Sequence, residues 1–127
     1  VYKNRTRNGI TRFHAGIDFA AKEGTPVYAA ADGVVIKAGV IGDYGNVEKI
    51  KHGDSGYDTL YGHLSKMIVN ESDKVKKGQL IGKVGHTGNA NGDHLHYEID
   101  FEGERVNPSF FIQVKNSNFL YMSLSRN

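Results

Sequence analysis

Cysteine and tryptophan are absent from this 127-residue sequence, and proline occurs only twice. Without cysteine there can be no disulfide staple, no thiolate metal ligand and no Cys nucleophile. Long apolar runs are also missing. Nothing approaches the roughly 20 consecutive apolar residues that a membrane-spanning helix requires. The first residues, VYKNRTRNG, are basic and polar with no apolar run behind them, so they do not read as a signal peptide. The chain begins at Val1 rather than Met, and the expectation is a mature or excised piece of a longer protein. Neither sign of charge dominates: 16 Lys and Arg against 14 Asp and Glu give +2. Ordinary solubility accounts for that balance, with mild attraction to an anionic polymer as the alternative. No basic run is dense enough to argue for nucleic acid. The length suits a single domain, residues 1–127, with one hydrophobic core.

What the chain has in abundance is glycine, 16 residues of it. Asn8-Gly9, Asp32-Gly33, Asn91-Gly92 and Glu102-Gly103 read as turns, because such pairs tolerate the positive φ of tight hairpins. Between the turns lie short β-rich runs at 25–30, 33–38, 47–52, 57–63, 79–84 and 95–101, with Arg105-Val106 pairing back across Glu102-Gly103. Short strands at regular spacing predict an all-β domain. No stretch before residue 107 keeps a helical period. Asn107-Pro108-Ser109 could open one short helical turn, since proline suits a first helical position. Residues 113–127 form a polar C-terminal extension. The low apolar content of 39–46 and 66–77 predicts loops there.

The chemistry resides in the histidines at 14, 52, 63, 86, 94 and 96. His14 and Asp18, four residues apart, share a face of a strand or a helix, so an imidazole and a carboxylate can converge. Gly16 between them permits irregular backbone. His94 and His96 are two apart, so on a strand both project from one face while Leu95 turns into the core. Two histidines and one carboxylate make a catalytic zinc set, with water in the fourth position. The spacing alone leaves open which member of the His94/His96 pair meets the metal. His63 ends a strand-like run, YDTLYGH, just before a loop-like Ser-Lys, where it can line a groove.

These stretches together carry a resemblance. FHAGIDFAA, GTPVYAAADGVV, Gly45-Asn46, YDTLYGHLS, VKKGQLIG, GHTG, GDHLHYEI and Val106-Asn107-Pro108 follow one another over about residues 10–112. In order and spacing they resemble the M23 (lysostaphin-like, LytM-type) zinc metallopeptidases. The resemblance implies an antiparallel β-sheet domain of barrel-sandwich character, with little helix and a substrate groove. It implies one zinc ion held by His14, Asp18 and His96, with His63 and His94 as the two catalytic histidines that do not bind it. It further implies hydrolysis of peptide cross-links or stem peptides of bacterial peptidoglycan, in the periplasm or at the cell surface. The alternative is a non-catalytic or latent module of the same fold, regulating or scaffolding a wall-remodelling complex. An inhibitory segment of the parent chain or a protein partner could hold such a domain latent.

Other residues admit plainer readings. His86 stands where the family commonly has serine and reads as a turn residue or a groove residue. His52 reads as structural. Asp93 can hydrogen-bond a neighbouring imidazole or face solvent. Tyr61 and Tyr97, each one strand step from a catalytic position, read as core or groove wall. Some family members stabilise the oxyanion with a tyrosine upstream of the first ligand, and here Asn8-Gly9-Ile10-Thr11 holds none, Tyr2 being the nearest.

Overall fold

A computed structural model describes residues 4–7, 10–13, 16–88, 90 and 92–106. His14, the expected helical turn at 107–109 and the extension at 113–127 lie outside the described residues. The rest is β-structure. β1 (Asn4–Arg7) and β2 (Ile10–Phe13) form a hairpin. β3 (Ile17–Ala20), β5 (Gly33–Ile41), β6 (Gly45–Lys51), β7 (Tyr57–Gly62), β9 (Lys74–Val75), β11 (His94–Phe101) and β12 (Glu104–Val106) build the large antiparallel sheet. Its order is β12-β11-β7-β6-β5-β9, and β3 pairs with β11. A smaller sheet of β4 (Pro26–Tyr28), β10 (Leu80–Val84) and β8 (Leu64–Met67) joins it. The expected antiparallel all-β domain is present, and its only described helical pieces are two 3-10 turns, Gly42–Tyr44 and Gly53–Ser55.

The core is built from Val27, Ala29, Val35, Ile50, Tyr61, Leu64, Ile81, Val84, Leu95, Tyr97 and Ile99, all at most 1% exposed. β11 shows how the period of two builds both a core and a site. Leu95, Tyr97 and Ile99 face inward and are fully buried. Leu95 and Ile99 each contribute roughly 1.5–3 kcal/mol by leaving water. The alternate residues, His94, His96 and Glu98, therefore share the other face. Glu102-Gly103, with φ of 51° and 85°, makes the two-residue turn that returns β12 to β11. That is the pairing expected of Arg105 and Val106.

His52 is structural, as its strand-end position suggested. Its Nδ1 lies 2.8 Å from the Asp32 carbonyl, and its Nε2 lies 2.7 Å from Thr59 Oγ1. Thr59 Oγ1 is 2.8 Å from Tyr61 Oη, which accepts from the Ala30 amide at 3.1 Å. A carbonyl only accepts, so Nδ1 carries the proton and Nε2 receives the Thr59 hydroxyl. Burial lowers the pKa of His52 and keeps it neutral in this chain of bonds.

The loops expected at 39–46 and 66–77 are shorter than the sequence suggested. β5 runs on to Ile41, because β-branched Val40 and Ile41 continue the ladder opposite Asn46 and Gly45. Only Gly42–Tyr44 turns the chain. Met67 completes β8, and Lys74–Val75 pair with β5.

Candidate active site

Register assembles the site. β3 is paired to β11 so that Asp18 lies opposite His96, while Gly62 of β7 flanks His96 on the other side. Asp18 Oδ1 is 2.7 Å from His96 Nδ1 and 3.8 Å from His94 Nε2. His63 occupies the bend between β7 and β8, where its φ of 60° turns the chain and its amide bonds to the Tyr44 carbonyl at 2.7 Å. Its ring centroid is 4.7 Å from that of His94 and 6.0 Å from that of His96. Three imidazoles and one carboxylate thus converge. They come from β3, β11 and the bend after β7.

The two nitrogens of each ring are in different surroundings. His63 Nδ1 is 2.6 Å from the Thr87 carbonyl, and His94 Nδ1 is 3.2 Å from the Gly92 carbonyl. In both, Nδ1 donates its proton and Nε2 keeps a bare lone pair when the ring is neutral. Burial lowers the pKa of His63, and the neighbouring His94 and His96 lower it further against the Thr87 bond, so it is neutral at pH 7. His96 is the reverse case. Its Nε2 is 2.8 Å from Glu98 Oε2, which leaves Nδ1 toward Asp18. Burial works against its imidazolium, but Asp18 and Glu98 outweigh burial and hold its pKa up at about 9.

Glu98 is itself embedded. It is 2% exposed, and its Oε2 also accepts the Tyr44 hydroxyl at 2.5 Å while Oε1 meets Arg105 Nη1 at 3.1 Å. Arg105 also binds Asp100, which meets Lys49 Nζ at 3.5 Å. The Tyr44 ring stacks on His96 with centroids 5.4 Å apart and planes inclined by 29°. Burial, then the bond to Glu98, pushes the Tyr44 phenol above its ordinary pKa.

The loop that orients His63 is held by two interlocked glycines. A Cβ on Gly45 (φ 67°) would meet the Thr87 carbonyl carbon at 2.4 Å, and one on Gly88 (φ 77°) would meet the Gly45 amide at 2.4 Å. Thr87 Oγ1 donates to the Leu64 carbonyl at 2.8 Å and accepts from the Asn46 amide at 3.0 Å. The Gly45-Asn46 and GHTG stretches therefore act as one clamp behind His63.

His86 is exposed and its Nδ1 lies 2.7 Å from Asp93 Oδ1 and 3.7 Å from Glu23 Oε1. Asp93 thus binds an imidazole, that of His86 rather than that of adjacent His94. Tyr61 and Tyr97 are fully buried core residues. A cleft of about 580 Å³ elsewhere, lined by Asp32, His52, Lys74, Lys76 and Gln79 among others, contains none of the expected site residues.

The convergence was expected of His63, His94, His96 and Asp18, whereas Tyr44, Thr87, Glu98 and Arg105 had not been singled out. The signal for Glu98 was available, since HLHYE places it two residues beyond His96 on the same strand face. The signal for Tyr44 was not, because it reaches Glu98 across 54 residues of chain.

The model of the family "Peptidase family M23" matches residues 12–108. The chain belongs to peptidase family M23. Among relatives of this M23 domain, the DD-carboxypeptidase/endopeptidase Mpg of Neisseria meningitidis serogroup B is 50% identical over 97 residues, which are 76% of this chain and 22% of that protein. The peptidoglycan DD-endopeptidase ShyA of Vibrio cholerae is 48% identical over 94 residues, 74% of this chain and 22% of the relative. The M23 domain thus spans about a fifth of the length of these relatives. A zinc-containing peptidase from Vibrio cholerae, known from its crystal structure, has the same fold, with a TM-score of 0.75 and 39% identity over 82% of this chain and 32% of that one.

Proposed function

We propose that this domain is a zinc-dependent endopeptidase that hydrolyses peptide cross-links or stem peptides of bacterial peptidoglycan, in the periplasm or at the cell surface. The observation that carries the reading is the convergence of the His63, His94, His96 and Asp18 side chains. Membership of the M23 peptidases and relatives named as peptidoglycan endopeptidases support the reaction and its substrate.

The donor chemistry fits zinc. A carboxylate oxygen and an imidazole nitrogen face each other at 2.7 Å, and a buried carboxylate holds the other nitrogen of that imidazole. Asp18 and His96 would hold the ion together with His14. When bound, zinc supplies polarisation of the scissile carbonyl and an acidified water. The protein's own residues do the proton work. His63, with Nδ1 fixed to the Thr87 carbonyl, receives a proton from the attacking water at Nε2. As the carbon–oxygen bond forms and the carbon–nitrogen bond breaks, that proton passes to the leaving amine. His94, with Nδ1 on the Gly92 carbonyl, stands beside His63, their ring centroids 4.7 Å apart, and presents its Nε2 to the reacting carbonyl and the leaving amine.

The test is digestion of purified peptidoglycan by the domain, with and without zinc and a chelator, with the fragments identified by mass spectrometry. Chelator-sensitive release of peptide fragments that disappears with His94→Ala supports the reading, and the fragment masses name the bond. Zinc binding without cleavage of any peptide bond would falsify the catalytic part.

A further inference from the structure

A metal-binding histidine must present one nitrogen and not the other, and an imidazole on a strand can rotate about its side-chain bonds. His96 is held against that freedom on three sides. Asp18 faces its Nδ1, the Tyr44 ring covers one face, and Glu98 occupies its Nε2. Glu98 is a carboxylate at 2% exposure, an expensive group to bury unless its oxygens are satisfied. Here they are satisfied: one oxygen takes both the His96 Nε2–H and the Tyr44 hydroxyl, and the other takes an Arg105 N–H.

The path between the two halves of the expected ligand set also runs over Glu98. A Cβ at Gly16 would lie 2.8 Å from Glu98 Cγ and 2.3 Å from the Tyr97 carbonyl oxygen. The backbone just before Asp18 therefore rests directly on the Glu98 side chain.

We propose that Glu98 is a positioning residue for the metal: it grips His96 through Nε2 so that only Nδ1 is offered to zinc, and Tyr44 and Arg105 in turn fix Glu98. This rests on the reading of Asp18 and His96 as zinc ligands. Removing an outer partner of this kind lowers metal affinity by roughly 10–100-fold. Glu98→Gln keeps the shape but brings an amide NH2 against donors, so it weakens the grip on His96, Tyr44 or Arg105. Tyr44→Phe removes one of the two donors to Oε2 and leaves the ring stack, so its loss runs the same way and is smaller.

The experiment is zinc affinity measured by competition with a chromophoric chelator, for the unmutated domain, Glu98→Gln, Tyr44→Phe and Asp18→Ala. Thermal melts of the metal-free forms run beside it. The expected result is that Glu98→Gln binds zinc about 10–100-fold more weakly while its metal-free melting curve stays cooperative. Long-range proton–nitrogen NMR on the zinc-loaded domain should find His96 protonated at Nε2 and coordinated through Nδ1. Unchanged affinity in Glu98→Gln, or a His96 coordinated through Nε2, overturns the proposal and leaves the peptidase reading standing. If Glu98→Gln does not fold, Tyr44→Phe and the NMR assignment decide. Zinc bound as tightly by Asp18→Ala as by the unmutated domain overturns the ligand assignment, and this proposal with it.

Discussion

Glu48 sits on β6 at zero exposure, beside Gly82 of the smaller sheet, and the Val69 and Ile68 amides near its oxygens do not reach hydrogen bonds of good geometry. Burial pushes its carboxyl from an ordinary 4.5 up to about 8, tempered only partly by the Val69 and Ile68 amides. Between those two pH values the folded state holds a proton that the unfolded chain has released. Stability from this group is therefore complete below about pH 4.5, falls as pH rises, and is lost beyond about 8. The loss is on the order of 5 kcal/mol. Glu48→Gln should match the parent at low pH and exceed it above pH 8, as read from denaturant midpoints across pH. Equal slopes in both proteins would show that the carboxyl is solvated. At the same scale, His63→Ala should lower kcat by roughly 10²–10⁴-fold while zinc still binds, as steady-state kinetics and metal titration would show. The sequence made His63 legible through its place at the end of a strand run. It did not make Glu48 legible, since an alternating strand with an acidic residue at that position reads as solvent-facing. Only the packing of the smaller sheet over β6 buries it.

At the scale of elements, the site depends on turns that bring strands together. The Gly45–Gly88 contact sets the Thr87 carbonyl that fixes His63 Nδ1. Gly88→Ala puts a Cβ at positive φ and within 2.5 Å of the Asp43 carbonyl oxygen. It should lower stability by about 1–3 kcal/mol and displace His63. Its signature is a fall in kcat larger than any rise in KM, with zinc affinity nearly intact. Retained kcat would mean that the clamp does not govern His63. The strands themselves were largely readable, because period-two alternation and Gly-bearing turns are local signals. The overextended loop at 39–46 came from judging polarity by composition. Val40 is exposed yet belongs to β5, since an edge ladder needs backbone partners rather than burial. The clamp itself joins turns 41 residues apart, and pairings of that kind are fixed by tertiary packing and not by neighbours in sequence.

For the whole molecule, the proposed ligands meet only in the folded chain, as Asp18 and His96 are 78 residues apart. The unfolded chain has no comparable site, so metal binding adds to folding stability. Zinc at about 100 times its Kd should stabilise the domain by roughly 2.7 kcal/mol, and a chelator should reverse the gain in melting temperature. A melting temperature indifferent to both would count against a preformed site. The small net charge of +2 also predicts only modest salt dependence for binding to an anionic wall polymer.

Substitutions on β11 alter one face at a time, but a change of length does not. Inserting or deleting a single residue between Leu95 and Glu98 would turn every residue on one side of the change to the opposite face, so that an imidazole enters the core or Ile99 leaves it. Such a strand accepts point changes and rejects frame changes. A domain built this way can vary in length at turns away from the Gly45–Gly88 clamp while β11 keeps its length. New substrate preferences would then arise in the turns around the groove, and the reaction itself would stay with the strand.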